Sequence, residues 1–158
     1  ILFIFYYKEL YLLLHQRCIW NLIAYMGVAE ILSFHDLKRT SCREGILEVM
    51  LVSKQALSEN VIREQLNGHF DRTTFYRSFK TLEAKRIIHK VVIDNLPVKY
   101  ALGNTLNPKK MHAHFFCKDC NSVECLNNTP IPTYPLPDGY TYSDTEVIIK
   151  GSCAKCNQ

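Results

Sequence analysis

The sequence predicts an α+β chain: an N-terminal winged helix-turn-helix domain followed by a small strand-rich half closed by cysteines. Three observations predict it. Three short helical patterns follow one another between Thr40 and Ala84. Two β-branched runs flank a turn directly after them. Two CxxC pairs, Cys117/Cys120 and Cys153/Cys156, bracket the last part of the chain.

At 158 residues there is room for one large domain or two small ones. The first 26 residues, ILFIFYYKELYLLLHQRCIWNLIAYM, are unlike the rest. Lys8, Glu9, His15, Gln16 and Arg17 interrupt their apolar runs, so no stretch reaches the ~18 residues of a membrane span. A signal peptide fits badly too, for want of a basic start and a small-residue cleavage site. Ordinary composition begins near Met26. The expected organisation is an N-terminal extension over 1–36, not native before Met26, a winged-helix DNA-binding domain over 37–103, and a metal-stapled domain over 104–158.

The helices come first. CREGILEVML sets Ile46, Leu47 and Met50 on one face. LSENVIREQLNG supplies Ser58 as N-cap, Val61, Ile62 and Leu66 for the core, and Gly68 just past the end. DRTTFYRSFKTLEAK opens at Asp71, and on a wheel its Phe75, Phe79 and Leu82 fall within roughly 60° of one another. On the opposite arc lie Arg72, Thr73, Tyr76, Arg77 and Lys80. Two short helices followed at once by a third is the order of a helix-turn-helix. Next, RIIHKVVI and VKYAL flank DNLP, strands around a turn, and a hairpin in this place makes a wing.

Charge supports a nucleic-acid face. The formal net charge of +4 divides into −1 over 1–37, +5 over 38–100 and zero over 101–158. Within 72–90 there are six basic residues and one acid, Glu83. Guanidinium and ammonium groups neutralise phosphates, Arg reads guanine edges, and Thr or Tyr touches thymine methyls or phosphate oxygens. Lys85, Arg86, Lys90 and Lys99, in or beside the wing, are placed to reach the backbone next to the groove.

GNTLNPKKM reads as a linker. Beyond it HAHFFC, SVECL and GYTYSDTEVIIKGSC read as strands, interrupted by the proline-rich NNTPIPTYPLPDG. Seven cysteines, an odd number with four in CxxC pairs, point to zinc in a reducing compartment, hence a cytoplasmic protein, rather than to disulfides. Cys117, Cys120, Cys153 and Cys156 would close a tetrahedron around structural zinc. A closed site has no open position for water, which argues against a zinc hydrolase. The basic helix face, in turn, argues against a pure protein-interaction module. His112 and His114, alternate residues on a strand, converge on one side with Cys125 as a further potential ligand, candidates for a second metal site.

These motifs, in this order over about 40–156, resemble the ferric uptake regulator (Fur) family of metal-responsive repressors: DRTTFYRSFKTLEAKRIIHK, HAHFFCKDC and GSCAKC. The resemblance implies a winged helix hinged to an α/β dimerisation domain, and a homodimer binding palindromic DNA operators, with no enzymatic activity. It carries DNA contacts to Tyr76 and Arg77, structural zinc to the four cysteines, and sensing to His112 and His114. A carboxylate common in the family is replaced by Cys125, and the family's histidine near Gln55 or Ala56 and acid near Ala101 are missing. The positions of a further family site, Met111, Ala113 and Thr145, also lack ligands. Thiolate for carboxylate favours zinc over ferrous iron or manganese, so the expected second metal is zinc, with His89 of the wing as a further candidate ligand. Iron- or peroxide-responsive and non-sensing members are the alternatives within the family.

Overall fold

The computed structural model describes residues 27–53, 55–103, 112–127, 129, 131–141 and 145–158. The expected extension through Met26 and most of the linker, 104–111, lie outside them. The chain divides into two compact units between Arg39 and Thr40. In the first, helix α1 (Val28–Phe34) buries Ile31 and Leu32.

The second unit opens with α2 (Ser41–Ser53), which buries Cys42, Ile46, Leu47 and Met50. A short strand β1 (Leu57–Ser58) leads into α3 (Glu59–Gln65), where the Ser58 hydroxyl accepts from Val61 N. Gly68, at φ +67, takes the left-handed turn after α3, a conformation with no steric penalty for glycine. The third helix, α4 (Arg72–Ala84), is capped by Asp71, whose carboxylate accepts from Thr74 N at 3.0 Å and Thr74 Oγ1 at 2.6 Å. It buries Phe75, Phe79 and Leu82, the predicted stripe. Val61 and Leu66, expected in the core, are only half-buried, while Ile62 is fully buried.

The wing is β2 (Ile88–Val91) antiparallel to β3 (Lys99–Leu102), with His89 opposite Ala101 and Val91 opposite Lys99. The ladder is shorter than the β-branched run suggested. After Val91 the chain turns through Asn95, at φ 63, and Ile93 leaves the strand to bury its side chain. Sequence reasoning missed β1, which adds to the free edge of β3 through Leu57–Tyr100 and gives the sheet order β1-β3-β2. The ring of Phe79 meets Tyr100 edge-on at 4.6 Å, so α4 packs directly against the wing sheet.

Gly103 ends the wing, its N–H donating to Ile87 O at 2.7 Å. A Cβ there would lie 2.4 Å from the Arg86 carbonyl oxygen, which is backbone and cannot swing aside. Gly103→Ala is therefore expected to cost about 2 kcal/mol by overpacking, read as a lower urea midpoint at unchanged slope.

The last sheet has β4 (Ala113–Cys117) at its centre, antiparallel to β5 (Val123–Leu126) and parallel to β6 (Ile148–Gly151). The strand expected over GYTYSDTEVIIKGSC is confined to Ile148–Gly151 among the described residues, with 142–144 outside them. The crossover from β5 to β6 has no helix among its described residues. Prolines 132, 135 and 137 remove backbone donors there, and Tyr134, Leu136 and Tyr140 are exposed. The two sheets share one apolar cluster of Ala56, Val91, Ile93, Ala101, Phe116 and Val123. Ala56 N–H donates to Val123 O at 2.9 Å across the same junction.

Candidate metal centres and nucleic-acid interface

Parallel pairing of β4 with β6 sets Cys117 opposite Gly151, so both strands deliver their CxxC turns to one end of the sheet. The sulfurs of Cys117, Cys120, Cys153 and Cys156 all lie within 4.8 Å of one another, and Cys120 Sγ is 3.8 Å from Cys153 Sγ. A tetrahedron with metal–sulfur bonds of about 2.3 Å has edges of about 3.8 Å, so the donor set fits a zinc-sized cation. Cys153 N–H donates to Cys117 Sγ at 3.2 Å. The Ser122 hydroxyl, 3.2 Å from Cys120 Sγ, is the main reason that thiol is pushed down to about 6, and the Cys120 amide lowers Cys117. Hydrogen bonding to Cys153 and Cys120 pushes Cys156 up to about 12. A cation bound by these thiols would displace the protons they still carry.

A second cluster lies where the wing meets the last sheet. His114 stands directly opposite Cys125 in the β4–β5 ladder, His112 precedes β4 by one residue, and His89 reaches in from β2. One ligand atom from each lies within 4.8 Å of the others. His89 Nε2 is 2.9 Å from His114 Nε2 and 3.8 Å from Cys125 Sγ, and the His112 ring centre is 4.7 Å from that of His114. Burial, helped by the neighbouring imidazoles, pushes His89 down to about 3 and His114 to about 4. Burial pushes the Cys125 thiol up to about 12. His89 and His114 are thus neutral at pH 7, the form in which imidazoles ligate. His114 Nδ1 is buried with no hydrogen-bond partner among the described residues. Three imidazoles and one thiol converging in a half-dry pocket fit a borderline-soft divalent cation. Ala101, where an acid was missing, faces His89 across the wing ladder and is buried in the shared apolar cluster.

The predicted DNA face is continuous on α4. Arg72, Thr73, Arg77 and Lys80 are exposed, Tyr76 is half-buried, and the Arg72 guanidinium lies over the Tyr76 ring, 5.5 Å from its centre. That stack restricts both side chains. Lys90 is exposed on β2, as expected of a wing contact. Sequence reasoning missed what Glu83 does: its carboxylate takes Lys80 Nζ at 2.7 Å and Lys90 Nζ at 3.3 Å, bridging helix and wing. Partial burial raises the Glu83 carboxyl, but the two ammoniums outweigh it and hold it below the usual range. Lys99, read from sequence as placed to reach the backbone beside the groove, donates to the backbone carbonyl of Asn121, beside the CKDC turn. The Lys80–Glu83 pair has the i, i+3 spacing of helix neighbours, but neither the Lys90 contact nor that of Lys99 has a signature in spacing.

A family model described as the ferric uptake regulator family matches residues 35–135. The chain belongs to that family. Its members are transcription regulators, not enzymes, and the Fur-family fold accounts for the order of elements from α2 to β6. Among solved structures, a zinc uptake regulator complexed with zinc and DNA is 20% identical at a TM-score of 0.59, covering 90% of this chain and 94% of that one. The ferric uptake regulator of Francisella tularensis, with iron, is 23% identical at 0.52, covering 77% and 96%. That of Vibrio cholerae is 19% identical at 0.52, with the same coverage. At these identities the likeness is one of fold. Comparison with curated proteins found no match. No helix among the described residues is long and apolar enough to cross a membrane.

Proposed function

We propose that this Fur-family regulator is a zinc-responsive, cytoplasmic transcriptional repressor that binds palindromic operators as a homodimer. The observation that carries the reading is the meeting of His89, on the wing, with His112, His114 and Cys125, on the last sheet. A divalent ion held there would supply a cross-brace between the two. His89 belongs to β2, β2 pairs with β3, and Tyr100 of β3 packs on Phe79 of α4. Fixing His89 therefore fixes the helix that presents Arg72, Thr73, Tyr76, Arg77 and Lys80, with Lys90 beside it. Loss of the ligand set's cation frees that orientation, a population shift rather than a new fold. Two copies related by a twofold axis place two α4 helices in successive major grooves, which is why the operator should be palindromic. Three imidazoles and a thiolate favour zinc over ferrous iron or manganese. The four-cysteine cluster, closed and without an open position, holds structural zinc.

Selection of bound DNA from random duplexes tests this, with the four-cysteine site loaded and zinc, manganese or chelator added. A palindrome enriched with zinc and lost with chelator is expected. No enriched palindrome defeats the repressor reading, and metal-independent enrichment removes the sensor alone. A companion measurement concerns Glu83. Glu83→Gln releases Lys80 and Lys90 to phosphates, so binding to random-sequence duplex should tighten about threefold near 0.1 M salt, and the salt slope should steepen by about one. Anisotropy titrations across KCl concentrations read both, and an unchanged slope would show that neither lysine reaches DNA.

A further inference from the structure

Lys99 stands at a juncture the DNA face does not use. It lies in β3, the central strand of the wing sheet, opposite Ser58 on one side and Val91 on the other. Its side chain leaves the wing and its ammonium donates to the carbonyl of Asn121, the residue directly after Cys120. Asn121 sits at φ 57, so its carbonyl orientation belongs to the turn that shapes the first CxxC pair. Two residues on, Val123 accepts from Ala56 N–H, which directly precedes β1.

We infer that Lys99 is a positioning residue that couples the four-cysteine site to the wing. A divalent ion in four thiolates leaves the cluster with two net negative charges, and a nearby ammonium from the wing complements them. The four-cysteine site would then do more than staple its own sheet. Its occupancy would set how firmly β3 is held, and through Tyr100 and Phe79 how firmly α4 is held. The inference rests on the reading of the cluster as a metal site and makes no use of DNA binding or of the histidine cluster.

The test uses the full chain loaded with one zinc. Lys99→Met keeps the apolar stem and removes charge and donor. Lys99→Arg keeps both, and Lys99→Gln replaces Met if that variant fails to fold. Two readouts are taken: the rate of zinc transfer to a chromogenic chelator, and amide hydrogen exchange in Ile88–Val91 and Lys99–Leu102. Zinc transfer about fivefold faster in Lys99→Met, with faster wing exchange while zinc is still bound and both restored by Lys99→Arg, is the expected result. Unchanged transfer and exchange in zinc-loaded Lys99→Met overturn the coupling. So does a uniform loss of protection throughout the chain with zinc transfer unchanged, the mark of a merely structural lysine. Wild-type protein that binds no zinc at the cysteines defeats the metal-site reading and the coupling with it. Metal content, measured first, distinguishes that failure from the others.

Discussion

Cys153→Ser is expected to abolish the structural metal and, with it, the folded C-terminal sheet. Binding of this type contributes on the order of 10 kcal/mol, comparable with the whole stability of a domain of this size, about 5–15 kcal/mol. Beyond the apolar cluster that Phe116 and Val123 share with the wing sheet, little holds this sheet: β4, β5 and β6 are five, four and four residues long, and the crossover between β5 and β6 is exposed at Tyr134, Leu136 and Tyr140. The helical core of Ile46, Leu47, Met50, Ile62, Phe75, Phe79 and Leu82 involves none of the four ligands. Far-UV circular dichroism should therefore keep its helical signal while amide protection of β4–β6 collapses, and elemental analysis should show the loss of one zinc per chain. A variant that keeps a protected β4 without metal would show that packing, not the metal, closes this sheet.

Zinc binding at the histidine–cysteine cluster should tighten about tenfold per pH unit between pH 7 and 9, and Cys125→Asp should flatten that slope. The sign follows from the protons. His89 and His114, at about 3 and 4, are already neutral across this range and release nothing. The Cys125 thiol, at about 12, is protonated, so each metal bound as a thiolate complex expels one proton, and raising the pH favours the complex. An aspartate at 125 enters already ionised, so no proton is expelled; being harder than sulfur, it should also move preference from zinc towards manganese. Cys125→Ala removes the ligand outright, with an expected loss of at least about 100-fold in zinc affinity. Competition against a chelator of known pH dependence measures all three proteins. A wild-type slope near zero would exclude Cys125 as a thiolate ligand.

The three helices between Ser41 and Ala84 and the four-cysteine set were legible because each has a local cause, whereas α1 (Val28–Phe34) was missed. Ser58 and Asp71 cap helices by accepting from the amide three residues on, and Phe75, Phe79 and Leu82 share a face by the period of the helix. CxxC pairs carry their chemistry in their spacing. Strand limits were less legible. Ile93 and the described residues just before Ile148 have strand-like composition but lie outside the ladders, because pairing depends on where a partner strand ends. β1 escaped notice because two residues bear no periodicity, and Leu57–Ser58 becomes a strand only by meeting Tyr100 and Lys99.

By itself the sequence determined the kind of protein this is: helix order, a basic face on α4, a wing, and the residues able to ligate metal. These depend on periodicity and residue chemistry, which act over a few positions along the chain. The tertiary structure alone decided which of those residues meet. It brought His89 to His114 across 25 residues of sequence, set Glu83 between Lys80 and Lys90, and set the Lys99 ammonium on the Asn121 carbonyl. Such pairings follow from the packing of two sheets about Ala56, Val91, Ala101, Phe116 and Val123, and from strand register. A one-residue slip there sends every side chain to the other face, which no local pattern in either strand can specify.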